Sequence, residues 1–194
     1  MMKLKTYVLV LAFLVFPNMV LAKKAQKDFF KIDGQKYVTN QRVKETTSLV
    51  DDSQALVQMK YSSKNISSAV IFDLAAAEDF TTYKKGTQIN VINELAEEDF
   101  DEEDFDFKDE AVLVFSHNFL EGNEAVAYDN DESSIVTGTM KLQKFNKKKG
   151  IAVMTFKLQI ENALVTTTDI NLNQTFSRLN EIINVSGKFT TVLY

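Results

Sequence analysis

Between residues 152 and 164 apolar and polar side chains take turns. Met154, Phe156, Leu158 and Ile160 fall on one side, and Thr155, Lys157, Gln159 and Glu161 on the other. Successive side chains of a strand point to opposite faces, so this pattern predicts a half-buried antiparallel strand. The segment before it does the same. Val136, Gly138, Met140 and Leu142 alternate with Thr137, Thr139, Lys141 and Gln143. The polar stretch 146–150, ending in Gly150, joins the two and predicts a long hairpin. At the C-terminus Val185, Gly187, Phe189, Thr191 and Leu193 alternate with Ser186, Lys188, Thr190 and Val192, which predicts a last strand paired inside a sheet. Near the other end, residues 29–32 and 35–38 flank Asp33-Gly34. Asp-Gly is a favoured two-residue hairpin turn, because both central positions need positive φ. Residues 53–61, 67–74, 86–92, 111–117 and 124–128 also read as strands.

One stretch departs from period two. In residues 169–184 there is no Gly or Pro, and Leu172, Phe176, Leu179 and Ile183 fall at i, i+4, i+7 and i+11. That stripe predicts a short amphipathic helix, with Thr168 or Asp169 as its cap. Residues 75–80 could add one helical turn. The expected fold is therefore mostly β: a single antiparallel β-sandwich or barrel of about eight to ten strands, with one short amphipathic helix near the C-terminus.

Residues 1–22 read differently. Lys3 and Lys5 precede an apolar run, Tyr7 to Phe16, and the stretch closes on small Ala22 before Lys23-Lys24. That is the order of a cleaved secretory signal. The apolar run is about half the roughly 20 residues a spanning helix needs. The expectation is one β domain over residues 23–194, exported to the periplasm or beyond. Its only expected membrane contact is through the signal. The chain contains no Cys. This excludes a disulfide scaffold, a thiolate metal site, a Cys nucleophile and a lipid-anchored cysteine after the signal.

Of 194 residues, 27 are acidic and 22 basic, a net charge of -5. Losing Lys3 and Lys5 with the signal would make the mature chain more acidic still. Only two Arg are present, Arg42 and Arg178, and no extended basic run occurs. A nucleic-acid partner is therefore not expected. The acids concentrate in residues 94–110, where the unit Glu-Glu-Asp-Phe-Asp occurs twice in tandem. Like charges at this density predict a solvated loop or an exposed edge. Carboxylates are hard ligands, so Asp99, Asp101, Glu103, Asp104 and Asp106 are the candidates for a surface calcium ion. No other cofactor is expected. Phe100, Phe105 and Phe107 are the candidate apolar anchors for a protein partner. An EF-hand loop starting at Asp129 fails, because Ser134 stands where Gly is needed and Met140 where Glu is needed.

Catalytic motifs are missing. His117 is the only histidine, and Ser116 beside it is too near in sequence to supply attack geometry. No Gly-x-Ser-x-Gly elbow or Gly-rich phosphate loop is present. Paired carboxylates of a hydrolase could lie far apart in sequence, but nothing selects a pair. The absence of Trp weighs against a sugar-binding platform without excluding one.

The stretches Ile32-Asp33-Gly34-Gln35-Lys36-Tyr37, Val136-Thr137-Gly138-Thr139-Met140-Lys141-Leu142 and Val185-Ser186-Gly187-Lys188-Phe189 resemble those of small uncharacterised envelope β-proteins of Bacteroidota type. The resemblance implies an antiparallel β fold in the envelope and transfers no catalytic residue. Many of those relatives carry a Cys after the signal, which this chain lacks. The function expected from all this is an exported, non-enzymatic binding or interaction module for an unknown protein or small ligand in the envelope. A lipocalin-like barrel carrying a small apolar ligand is the second reading, and a hydrolase with dispersed carboxylates the third.

Overall fold

The structure, a computed structural model, describes residues 28–43, 53–76, 82–93 and 110–192. It is mostly β. Thirteen strands form one sheet: β1 (Phe29–Ile32), β2 (Gln35–Val38), β3 (Gln41–Val43), β4 (Ser53–Ser62), β5 (Ile66–Ala76), β6 (Gln88–Ile92), β7 (Glu110–Glu121), β8 (Glu124–Asp129), β9 (Ile135–Asn146), β10 (Ile151–Glu161), β11 (Leu164–Thr168), β12 (Gln174–Arg178) and β13 (Ile183–Val192).

The longest path runs β12-β11-β8-β7-β6-β9-β10-β13-β1-β2, with β5, β4 and β3 branching from β7. The ladder does not close by pairing. The β2 end and the β3 branch meet through chain: β2 pairs β1, Thr39 and Asn40 follow, and β3 then pairs β4. Asn40 N–H donates to the Lys60 carbonyl, and its side chain exchanges two bonds with the Ser62 backbone. The sheet thus folds over into two packed layers, in the manner of a sandwich. Phe72 of β5 meets Phe156 of β10 edge-on at 4.9 Å and stacks near Phe189 of β13 at 6.0 Å. These rings fill the space between the layers, with Phe30, Leu74, Leu113, Met140 and Leu142 fully buried around them.

The predicted alternation produces this core. Burial along β10 alternates from Ile151 to Ile160, with Ala152, Met154, Phe156, Leu158 and Ile160 inside. The Asp33-Gly34 turn has the expected positive φ at both residues, 45° and 86°. Gly138 and Gly187 are needed for another reason. A Cβ on Gly138 would lie 2.3 Å from the Lys157 carbonyl oxygen, and one on Gly187 2.5 Å from the Phe156 ring. The Phe156 ring covers Gly187, its cross-strand partner.

Strand β7 organises the rest. One edge pairs β5 along residues 110–119. The other edge is shared: Glu110, Ala111 and Val112 pair β6 in parallel, and Ser116 to Glu121 pair β8 antiparallel. The gap between is bridged by a side chain. Asn130 accepts from Phe115 N–H through Oδ1 at 2.6 Å and donates from Nδ2 to the Leu113 carbonyl at 2.9 Å. The same Nδ2 donates to Asn93 Oδ1, while Asn93 donates to the Asp131 and Ser134 carbonyls. The carboxamide thus replaces one residue of a missing strand.

The expected helix over 169–184 is absent. β12 occupies part of that stretch, paired with β11. Leu172 has a positive φ of 66°, which no right-handed helix tolerates. The cap signal was real chemistry in another setting. The Asp169 carboxylate accepts from Asn171 N–H, Asn173 N–H and Asn173 Nδ2, closing a hairpin loop instead of starting a helix. The apolar stripe is split accordingly: Ile183 is buried, whereas Leu172 and Phe176 are 81% and 65% exposed. In residues 75–80, Ala75 and Ala76 end β5, and 77–80 lie outside the described residues. The β6–β7 pairing is parallel, against the all-antiparallel expectation.

Replacing Asn130 by Ala leaves the Phe115 N–H and the Leu113 carbonyl buried without this partner. Each such group costs about 1–3 kcal/mol, so Asn130→Ala should lower unfolding free energy by about 2–4 kcal/mol in urea titration. A loss below 0.5 kcal/mol would show that the bridge is not needed.

Candidate functional site

Calcium candidates Asp99, Asp101, Glu103, Asp104 and Asp106, and anchors Phe100, Phe105 and Phe107, all lie outside the described residues. Among the described residues no three His, Asp or Glu side chains converge as a metal site. Two other places carry chemistry.

The first surrounds His117. It sits inside β7 directly across from Ser68 of β5, and Ser68 Oγ lies 2.7 Å from His117 Nδ1. Tyr37, Phe119 and Tyr128 surround the imidazole, with ring centroids 5.3–6.3 Å away. Ser68 is 2% exposed and His117 9% exposed. A nucleophilic serine must meet its substrate, and this one is closed over by the core. No carboxylate orients the imidazole by a hydrogen bond among the described residues. Asp33 acts on it only through space, and its own carboxylate accepts from Asn184. Burial lowers the His117 pKa, opposed by the charge of Asp33. Burial also raises Tyr37 and Tyr128. The cluster is a polar pair satisfied inside an aromatic wall. Period two placed both residues on inward positions, but only the β5–β7 register brings them opposite.

The second place is the outer face of β9, β10, β13, β1 and β2. Inward positions here are filled by the core, so the alternate residues stand outward. Their register makes rows: Asn184–Gln159–Thr137, then Lys36–Lys31–Ser186–Lys157–Thr139, then Phe29–Lys188–Thr155–Lys141, then Thr190–Val153–Lys144. Lysines alternate with hydroxyls and amides. Within these rows no carboxylate stands outward. Glu161 and Asp33 lie at one end of the face; at the other, Asp28 is buried and accepts from Thr190 N–H. Lys31 and Lys36 are directly opposite, a like-charge pairing that costs stability. Lys36 Nζ leans 4.1 Å over the Phe29 ring, which offsets part of that cost.

The face is not flat. A hollow of about 480 Å³ is lined by Phe29, Lys31, Lys141, Thr155 and Lys157 among others. A second, of about 450 Å³, is lined by Thr137, Gln159, Asn184 and again Lys157. Lys157 and Ser186 border both hollows, which lie side by side on this face as a two-part trough. Sequence reading assigned these lysines singly to polar strand sides and missed their adjacency. The strands that carry them span residues 29–192.

A third polar knot is structural. Arg178 of β12 grips Asp131 with two parallel bonds, 2.6 and 2.7 Å. The Arg178 hydrogen bond is the main reason the Asp131 carboxyl titrates below its ordinary value.

No family model, curated protein or solved structure matches the chain. What the trough offers chemically must therefore be read from its own side chains: positive charge, hydroxyl and amide hydrogen bonds, and one aromatic wall.

His117 supplies a pH test. Its folded pKa lies below the ordinary value near 6.5, so the unfolded chain binds more protons as pH falls through that value. Stability is full above about pH 6.5 and declines below it, until the folded pKa is passed. Melting temperature measured between pH 7.5 and 5 should fall in the wild type, and His117→Gln should lack that component. Equal slopes in both proteins would contradict this assignment.

Proposed function

We propose that the chain is an exported, non-enzymatic binding module that holds an anionic ligand on the lysine-lined outer face of β9, β10, β13, β1 and β2. One observation carries the reading. In a chain of net charge -5, Lys31, Lys36, Lys141 and Lys157 share one face, and among the described residues no carboxylate stands in the rows that carry them. The directly opposed pair Lys31 and Lys36 costs stability, and departures from favourable local pairing concentrate at functional sites. Rings between the layers support a sheet-face site over an interior ligand cavity, because Phe72, Phe156 and Phe189 occupy the space that a carried ligand would need. The signal-like order of residues 1–22 supports export, and with it a periplasmic or extracellular ligand.

Two measurements test this. Labelled dextran sulfate, a generic polyanion, should bind saturably and more weakly as salt rises. The double variant Lys141→Ser/Lys157→Ser should lose about tenfold or more in affinity, since a charge-assisted contact is worth at least about 1.5 kcal/mol. Lys148→Ser/Lys149→Ser, at the β9–β10 hairpin tip, should match the wild type. Equal loss in both pairs would remove the face as the site. Mass spectrometry of protein from the producing cell's envelope should place the N-terminus at Lys23; an intact leader would refute processing.

A further inference from the structure

We infer that two copies of this chain join through the free edge of β12, pairing antiparallel about a two-fold axis at Phe176, so that the sheet of one copy runs on into the other. The inference is independent of the lysine face.

The first observation is a bare edge. β12 ends the path through the sheet and is paired on one side, by β11. The phase of that ladder says which backbone groups are left over. Asp169 N–H donates to the Asn173 carbonyl, and Leu179 N–H to the Ala163 carbonyl. Bonded and non-bonded pairs alternate in an antiparallel ladder, so Thr175 and Ser177 bond to β11. Gln174, Phe176 and Arg178 turn their N–H and carbonyl groups away from it, and no strand among the described residues takes them up. Edges of this kind are commonly blunted by a lysine, a proline or a bulge, or covered by a loop. β12 reads Gln-Thr-Phe-Ser-Arg, its register with β11 is unbroken, and every one of its residues is exposed. Its one charge, Arg178, is folded back on Asp131.

The second observation is where apolar side chains meet water. Ile170, Leu172 and Phe176, at 78%, 81% and 65%, are the most exposed large hydrophobic residues of the described chain, and all lie on the β11–β12 hairpin. Ile182, shortly past β12, is exposed as well. Single apolar side chains on a surface are ordinary, but a group of them beside an open edge marks an interface.

The third observation selects the occupant. Laid antiparallel on itself with Phe176 at the centre, β12 sets Gln174 opposite the partner's Arg178, Thr175 opposite the partner's Ser177, and Phe176 opposite the partner's Phe176. No like charges meet, and paired rings and paired hydroxyls are favourable cross-strand neighbours. Only this centring uses the whole strand. It also sets each free N–H and carbonyl of Gln174, Phe176 and Arg178 against a residue whose own backbone groups are free. The hairpin tip, residues 169–173, then lies toward the partner's segment 179–182, which holds the exposed Ile182. Such a contact is the same patch on both copies, so assembly closes at two. A five-residue seam is a small interface, and association in the micromolar range is expected.

Sedimentation equilibrium of the purified protein from about 1 to about 200 µM tests this. The expected result is a reversible monomer–dimer equilibrium without larger species. Phe176→Lys and Phe176→Glu each put like charges on the axis. Each should weaken dimerisation about tenfold or more, with an unaltered circular dichroism spectrum. An equal mixture of the two variants should recover dimers, because opposite charges then meet on the axis. Val114→Lys, a change at an exposed apolar residue of β7, should associate like the wild type. A protein monomeric throughout that range, dimers indifferent to both Phe176 variants, an equal loss in Val114→Lys, or a mixture that stays monomeric would each overturn the inference. Should a charged variant misfold, Phe176→Thr keeps a β-branched strand residue and should weaken dimers about threefold or more.

Discussion

The architecture depends on how β7 satisfies its two edges. A buried strand must pair every N–H and carbonyl, and β7 finds partners for one edge in β5 alone. For the other edge it draws on two unrelated strands, β6 and β8, which leave a gap at Leu113 to Phe115. Asn130 closes that gap with a carboxamide, whose donor and acceptor match one peptide unit. From this fork the sheet goes two ways. Through β6 it continues into β9, β10 and β13, which carry the lysine face. Through β8 it continues into the β11–β12 hairpin, moored by the Arg178–Asp131 pair. The trough and the outlying hairpin therefore both trace back to β7, and Asn162 and Ala163 link them a second time between β10 and β11.

Much of this was legible in the chain. Period-two stretches around β9, β10 and β13 appear as strands with the expected faces inside, and the Asp33-Gly34 turn has the predicted backbone. What misled was a coincidence of spacing. Leu172, Phe176, Leu179 and Ile183 fit a helical stripe only if one element contains them all. In fact Leu172 lies in a loop, Phe176 on the outward side of an edge strand, and Ile183 at the start of β13. The Asn-rich composition of 169–174 and the threonines before it fit a hairpin better than a helix interior.

The candidate site was legible only in part, for a physical reason. Acidic residues 94–110 are contiguous, so they stand out by eye. The lysines of the sheet face are scattered singly among thirteen strands' worth of chain, each reading as an ordinary solvated position. Register alone makes them neighbours. The same holds for Ser68 and His117, 49 residues apart and directly opposite. Segregation of charge also matters for association. With a screening length of about 8 Å at physiological salt, a ligand near this face feels its lysines rather than the net negative charge of the whole molecule. Long lysine stems can lie along the sheet while their ammonium groups reach outward, so the trough can adjust to its occupant without backbone movement.

The pairing of β1 with β13 has a mechanical corollary. The two strands are antiparallel, with Phe29 opposite Lys188, so the start of β1 and the end of β13 lie at the same end of that ladder. Tension applied between those two strand ends would peel the strands apart one bond at a time instead of shearing several together. The seam gives way like a zip. Detaching β13 would dismantle the floor of the lysine face and take Phe189 away from Phe72 of the opposite layer in the same step.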